Sequence, residues 1–226
     1  MFILLAGSST RMNLDTPKQF ITINNKEIFE YSLELFDQIN EIDEIFLVSK
    51  KDYFPHIEAI TKNKKYNHKI NVITGGDTRQ MSVFNSLSSI KEKAKNDDII
   101  LFHDASRPLI DSKTTLKIID EARKNDGATA FSPLFDSICA KNDENYIEKT
   151  IKREKIVKLQ TPQAFKFDII YKAHKEEMKK GNVNFTDDTS LLISKGYKIK
   201  LVEASILNFK VTTFDDLYIL KRLLEG

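Results

Sequence analysis

The chain has 226 residues, with 35 Lys and Arg against 33 Asp and Glu and a formal net charge of +2. That length fits one large domain or two small ones and can bury a substantial core, while the even charge balance leaves no electrostatic footprint for nucleic acid. A lone cysteine, Cys139, excludes an intrachain disulfide and a cysteine-based zinc site; no apolar run is long enough for a membrane helix and no secretion signal is evident, so a cytoplasmic protein is expected.

The chain starts with a short apolar run, Phe2-Ile3-Leu4-Leu5, that breaks into the small polar loop Ala6-Gly7-Ser8-Ser9-Thr10-Arg11-Met12. A buried strand feeding a small-residue turn allows backbone N–H groups to approach anionic oxygens. Arg11 and, after Pro17, Lys18 add positive charge, so the segment reads as a triphosphate cradle. It matches neither the P-loop nor the G-x-G-x-x-G fingerprint, and an ordinary strand-to-helix turn with two exposed cations is the plain alternative.

Further strands are expected over 44–49, 69–73, 98–103, 128–132, 157–160, 198–202 and 209–212, after the first over 2–5. Helices are expected over 27–38, 79–93, 112–123 (with Ser112 as N-cap), 167–178, 188–194 and 213–224. Such alternation argues for an α/β fold, a mostly parallel twisted sheet flanked by helices. Ligands then sit at the carboxyl ends of the strands, where the motifs should converge. The polar stretch 136–155 breaks the pattern. Its centre, Lys141-Asn142-Asp143-Glu144-Asn145, is a strong turn signal, and a protruding β-hairpin is expected. Pairing with a second copy of the chain would cover its edges, so the arm points to a homodimer; a surface loop is the alternative. No internal repeat or domain boundary divides residues 1–226.

Several strand-end patches carry chemistry. Gly75-Gly76-Asp77, with Ser82 beyond, allows close backbone approach to a base or sugar, or is a turn with Asp77 as a cap. In His103-Asp104-Ala105-Ser106-Arg107-Pro108, Asp104 suits a hydroxyl or a metal and Arg107 a phosphate. The alternative is a salt bridge at the sheet end, and His103 reads as structural. Arg153 and Gln160-Thr161-Pro162-Gln163 offer a cation and a hydroxyl beside a fixed turn. Thr186-Asp187-Asp188 opens a helix, and Lys210 alternates with Phe209 and Val211. No Ser-His-Asp set or His-Glu-x-x-His motif is present. A phosphate monoester attacking an α-phosphate would need none, since its second pKa of about 6 leaves it mostly dianionic at neutral pH. Such an enzyme supplies position and positive charge.

In their order and spacing these patches resemble the methylerythritol-phosphate cytidylyltransferase family. The resemblance implies a Rossmann-like nucleotidyltransferase, dimeric through an exchanged β-arm, that joins CTP and 2-C-methyl-D-erythritol 4-phosphate with Mg²⁺ and releases pyrophosphate. It implies Arg11, Lys18 and Lys210 as catalytic cations, and Leu5, Ala6, Gly7, Ser8, Gly76, Asp77 and Ser82 around the nucleotide. Asp104, Arg107, Arg153, Thr161 and Thr186 would hold the acceptor, with Ser137 reaching it from the neighbouring subunit's arm. Mg²⁺ would ride mainly on the CTP phosphates, with no metal site of the protein's own. The chain departs from the family pattern at Ser8-Ser9, Ser106, Ser137 and Phe209, and no cation is lost. Ribitol-5-phosphate cytidylyltransferases share most of the motifs, and a non-catalytic nucleotide-binding relative is a third reading.

Overall fold

The computed structural model describes residues 1–7 and 16–225. In chain order it contains β1 (Phe2–Leu4), β2 (Thr22–Ile23), β3 (Lys26–Glu27), α1 (Ile28–Phe36), β4 (Glu44–Ser49) and α2 (Phe54–Lys62). There follow β5 (Lys69–Thr74), α3 (Arg79–Ile90), β6 (Ile99–Asp104), α4 (Ser112–Lys124), β7 (Gly127–Pro133), β8 (Ile138–Lys141) and β9 (Ile147–Ile151). The last elements are β10 (Val157–Lys166), α5 (Phe167–Lys179), α6 (Asp188–Ser194), β11 (Ile199–Glu203) and α7 (Phe214–Glu225).

Seven strands form one sheet in the order β11-β7-β10-β6-β1-β4-β5. β10 runs antiparallel to both neighbours and every other pairing is parallel, so the carboxyl ends of β1, β4, β5 and β6 share one edge. The mostly parallel α/β sheet expected from the alternation is what forms.

The strands are apolar on both faces because helices cover both. Phe2, Phe46, Val48, Ile100 and Phe102 point to one side, against Val83, Leu87 and Ile90 of α3 and Phe167, Ile170 and Leu191 of α5 and α6. Ile3, Ile45 and Leu47 point to the other, against Phe29, Leu33 and Phe36 of α1 and Ile57 of α2. Phe2 stacks between Phe46 and Phe102, ring centroids 4.8 and 5.3 Å away. α4 closes a third cluster over β7, and α7 packs Leu220 against Ile23, Ile28 and Val211.

Several details differ from the sequence expectation. Residues 209–212 are not a strand. Val211 N–H donates to the Ser106 carbonyl (2.8 Å) and Thr212 N–H to Asp216, so this backbone is used in loop contacts and not in a ladder. β10 continues past Pro162, which lies where its register with β7 shifts between Leu159 and Gln163. The N-cap of α4 is Asp111, not Ser112: its carboxylate accepts from Thr114 N–H. α2 was not expected at all, because it buries little besides Ile57.

The polar stretch forms the antiparallel pair β8–β9, from Ile138 opposite Ile151 to Lys141 opposite Ile147. Asn145, at φ 66°, turns the chain between them and donates its N–H to the Asn142 carbonyl. The pair is a separate two-stranded sheet springing from the adjacent ends of β7 and β10.

Phe102 is fully buried at the centre of the sheet. Phe102→Ala is expected to cost about 3–5 kcal/mol, read as a lower urea midpoint at unchanged slope.

Candidate active site

The shared edge of β1, β4, β5 and β6 opens on a cleft of about 340 Å³. Ala6, Gly7, Lys18, Gly76, Asp77, Ser82, Asp104 and Lys210 all line it, so eight of the residues singled out in sequence come together. Leu5, the residue after β1, is buried and is not part of the lining. Ser8 and Arg11 lie outside the described residues.

The first wall is the end of β1. Gln19 follows it in a short 3-10 turn, Lys18–Phe20, and its side-chain amide donates to the carbonyls of Leu5 (2.5 Å) and Gly7 (3.0 Å). One buried side chain thus fixes both the strand exit and the placement of Lys18 beside it.

The second wall is the Gly75-Gly76 turn between β5 and α3. A Cβ on Gly76 would stand 2.5 Å from Met81 Cβ, and one on Gly75 would stand 2.8 Å from Ala6 Cβ. Glycine is required here because the turn lies flat on its neighbours. Ser82 Oγ accepts from Gly76 N–H (2.9 Å) and donates to the Thr78 carbonyl (3.0 Å), which closes the turn on the helix. The cap of α3 is Thr78, whose hydroxyl accepts from Met81 N–H. Asp77 is left exposed at the cleft.

Asp104, the last residue of β6, is the centre. Its Oδ2 lies 2.8 Å from Lys210 Nζ and 3.7 Å from Arg107 Nε, and its Oδ1 lies 3.7 Å from Arg79 Nε. Burial pushes the Asp104 carboxyl up, but Lys210, Arg79 and Arg107 outweigh it and hold the group well below the usual carboxylate range. Lys210 reaches it because the 208–211 segment is tied to the turn after β6. Val211 N–H bonds the Ser106 carbonyl, and Arg107 Nη1 donates to the Asn208 carbonyl (2.9 Å). Asn208 is itself buried and donates to Gln160 Oε1 and the Thr161 carbonyl.

Arg79 has a part that the sequence did not disclose. Its Nη1 donates to Asp188 Oδ2 (2.7 Å), and His174 Nε2 holds the other oxygen at 2.9 Å. Burial raises the Asp188 carboxyl, and Arg79 and His174 pull it lower. One guanidinium therefore joins the glycine turn, Asp104 and the start of α6. Arg79 Nη2 is buried with no hydrogen-bond partner among the described residues. The signal available in sequence was only an arginine one residue after a turn.

The remaining candidates stand apart from the cleft lining. Thr186 is exposed beside Asp187, the N-cap of α6. Thr161 is buried, and its hydroxyl contacts Asp104 N–H and His103. Ser137 and Arg153 are exposed at the base of the β8–β9 arm, where Arg153 donates to the Phe135 carbonyl.

An open α/β sheet whose strand ends close on a glycine turn, a central carboxylate and converging cations defines an enzyme of nucleotidyl transfer. The profile of the 2-C-methyl-D-erythritol 4-phosphate cytidylyltransferases matches residues 1–225. The protein of that name from Clostridium acetobutylicum is 38% identical over 224 residues, 99% of this chain and 96% of its own length. That from Thermosipho africanus is 35% identical, covering 96% and 94%. The crystal structure of 4-diphosphocytidyl-2C-methyl-D-erythritol synthase from Anaerococcus prevotii superposes with a TM-score of 0.85 at 29% identity, covering all of this chain and 95% of that one. The chain belongs to the 2-C-methyl-D-erythritol 4-phosphate cytidylyltransferase family.

Two substitutions test this geometry. Gly76→Ala forces Met81 out of place and is expected to lower stability by about 1–3 kcal/mol in chemical denaturation. Arg79→Met leaves the buried Asp188 carboxylate without its cation and should cost about 3–5 kcal/mol. Introduced into Asp188→Asn, the same change should cost clearly less, the difference being the coupling between the two.

Proposed function

We propose that the chain transfers CMP from CTP to 2-C-methyl-D-erythritol 4-phosphate, releasing pyrophosphate, as a step of isoprenoid precursor synthesis. The observation that carries this reading is the cleft itself: Lys18 and Lys210 converge on it with Asp104 and the glycine turn, in a chain of this family.

The acceptor's phosphate is its own nucleophile. With a second pKa of about 6 it is largely dianionic at neutral pH, so the step needs no general base. An acceptor phosphate oxygen forms a new bond to the α-phosphorus of CTP. The bond from that phosphorus to the bridging α–β oxygen breaks, and pyrophosphate leaves with the electron pair. What the enzyme must do is bring two polyanions together and stabilise the charge that builds at the five-coordinate phosphorus. Arg11 and Lys18 hold the triphosphate in this reading and Lys210 neutralises the α-phosphate. Leu5, Ala6, Gly76, Asp77 and Ser82 line the cytosine and ribose site, largely by backbone, with Gly7 and Ser8 also at the nucleotide. Asp104 receives the acceptor's hydroxyls, and Arg107, Thr161, Thr186 and Arg153 hold the rest of it.

The charge pattern suits an ion that arrives on the nucleotide. The one carboxylate at the centre of the cleft already faces three cations. Mg²⁺ carried by the CTP phosphates would add charge neutralisation at the transferring group.

The arm, residues 136–155, serves in this reading to pair two copies of the chain as a homodimer and to carry Ser137 to the neighbour's acceptor site. Supporting it, Tyr146 and Ile147 are 69% and 72% exposed on an arm otherwise rich in charge, and Phe135, just before it, is 67% exposed. Among the described residues no helix is long and apolar enough to cross a membrane, and the cytoplasm is the proposed site of action.

Pyrophosphate release, followed with CTP and Mg²⁺ and either methylerythritol phosphate or ribitol 5-phosphate, tests the assignment. Turnover with methylerythritol phosphate is expected; turnover with ribitol phosphate alone would overturn the acceptor. Lys210→Ala should lower kcat about 10²–10³-fold with little change in CTP affinity. Unchanged turnover would remove Lys210 from the chemistry.

A further inference from the structure

His103 precedes Asp104 on β6 and is fully buried. Its ring packs edge-on against Phe36 of α1, centroids 5.0 Å apart. Both ring nitrogens are engaged. Nε2 lies 3.0 Å from the Arg107 carbonyl oxygen, and Nδ1 lies 3.2 Å from Thr161 Oγ1. A carbonyl oxygen can only accept, so Nε2 must carry the proton. Burial keeps the imidazole neutral, holding its pKa down to about 4 against the opposing pull of the Arg107 carbonyl. A neutral ring protonated on Nε2 has a bare Nδ1, which accepts from the Thr161 hydroxyl. That hydroxyl oxygen in turn accepts from the Asp104 backbone N–H at 3.0 Å.

The four bonded groups form one chain: Asp104 N–H to Thr161 Oγ1, Thr161 hydroxyl to His103 Nδ1, His103 Nε2–H to the Arg107 carbonyl. It spans the turn that begins with Asp104 and ends with Arg107, and it pins both ends from below. The Asp104 carboxylate lines the cleft, and the Arg107 guanidinium lies 3.7 Å from it, braced by the Asn208 carbonyl. A shift of the Arg107 carbonyl displaces its guanidinium, and a shift of the Asp104 amide displaces its carboxylate.

We propose that His103 is a positioning residue: a neutral, Nε2-protonated imidazole that sets the spacing of Asp104 and Arg107 and through them the binding of the acceptor phosphate polyol. This rests on the reading that those two residues hold the acceptor. The Thr161 hydroxyl, counted among the groups that hold the acceptor, then acts on it through this frame, with its proton directed at His103. The glycine turn and Lys18, which serve the nucleotide, lie outside this chain of bonds.

The test uses the whole protein. Asn in place of His103 keeps an acceptor near Nδ1 but cannot reach Arg107; Gln reaches the carbonyl as Nε2 does but leaves Thr161 unanswered. His103→Asn and His103→Gln are each expected to raise the acceptor KM about tenfold or more, with the CTP KM within about twofold of the parent. Equal rises in both KM values, or lower folding stability with both KM values intact, would overturn the proposal. A second measurement needs no variant to be active. In ¹⁵N-histidine-labelled parent protein at neutral pH, the His103 resonances, identified by their loss in His103→Gln, should show Nε2–H and a bare Nδ1. The opposite tautomer or a charged ring would overturn it. Failure of the functional reading itself shows separately, as silence of the parent enzyme with either acceptor.

Discussion

The site is organised around one carboxylate that three cations surround. Asp104 ends the central strand β6, and its charge is answered by Lys210, Arg79 and Arg107, each brought by a different part of the chain. Burying a carboxylate alone is costly, and burying it among cations makes each dependent on the others. Removing any member leaves the rest miscompensated. The arrangement also leaves a net positive surplus at the strand ends, the condition for drawing in polyanionic ligands. Asp104 therefore works both as a strut of the fold and as the group that keeps those cations close without letting them scatter.

Around that centre the polar frame is built mostly from backbone carbonyls held by buried amides and one imidazole. Gln19 grips two carbonyls after β1, Asn208 joins Gln160 and Thr161, and His103 joins Arg107 and Thr161. Each of these side chains is fully or almost fully buried. Buried polar groups of this kind are expensive unless satisfied, and once satisfied they hold one geometry. The cleft is thereby prepared before any ligand enters, which suits chemistry in which alignment and charge do most of the catalysis.

Much of the fold could be read from local pattern. The strand 44–49 coincides with β4 at both ends, and the helix 188–194 with α6, because each is bounded by strong polar or capping residues. Errors arose where local chemistry was ambiguous. Pro162 argued for a strand end, yet the ladder continues past it at a register shift. Residues 209–212 carry strand-forming side chains but spend their backbone bonds on a turn. Of the site, the separate patches were visible, and the parallel topology foretold their meeting. The bonds between them were not. Arg79 meets Asp188 across 109 positions and Lys210 meets Asp104 across 106, and no periodicity encodes which cation chooses which carboxylate.

The arm leaves and rejoins the sheet at a single place. Pro133 at the end of β7 is paired with Val157 at the start of β10, so everything between them hangs from a closed base. Lengthening or shortening that excursion changes the register of no strand in the seven-stranded sheet, and closure entropy grows only slowly with loop length. The chain therefore carries a segment whose tip can change in length and composition while β7 and β10 stay paired. In a lineage of such folds, insertions and deletions are expected to collect at the tip of the hairpin, while its base stays fixed by the β7–β10 pairing and by the bond from Arg153 to the Phe135 carbonyl.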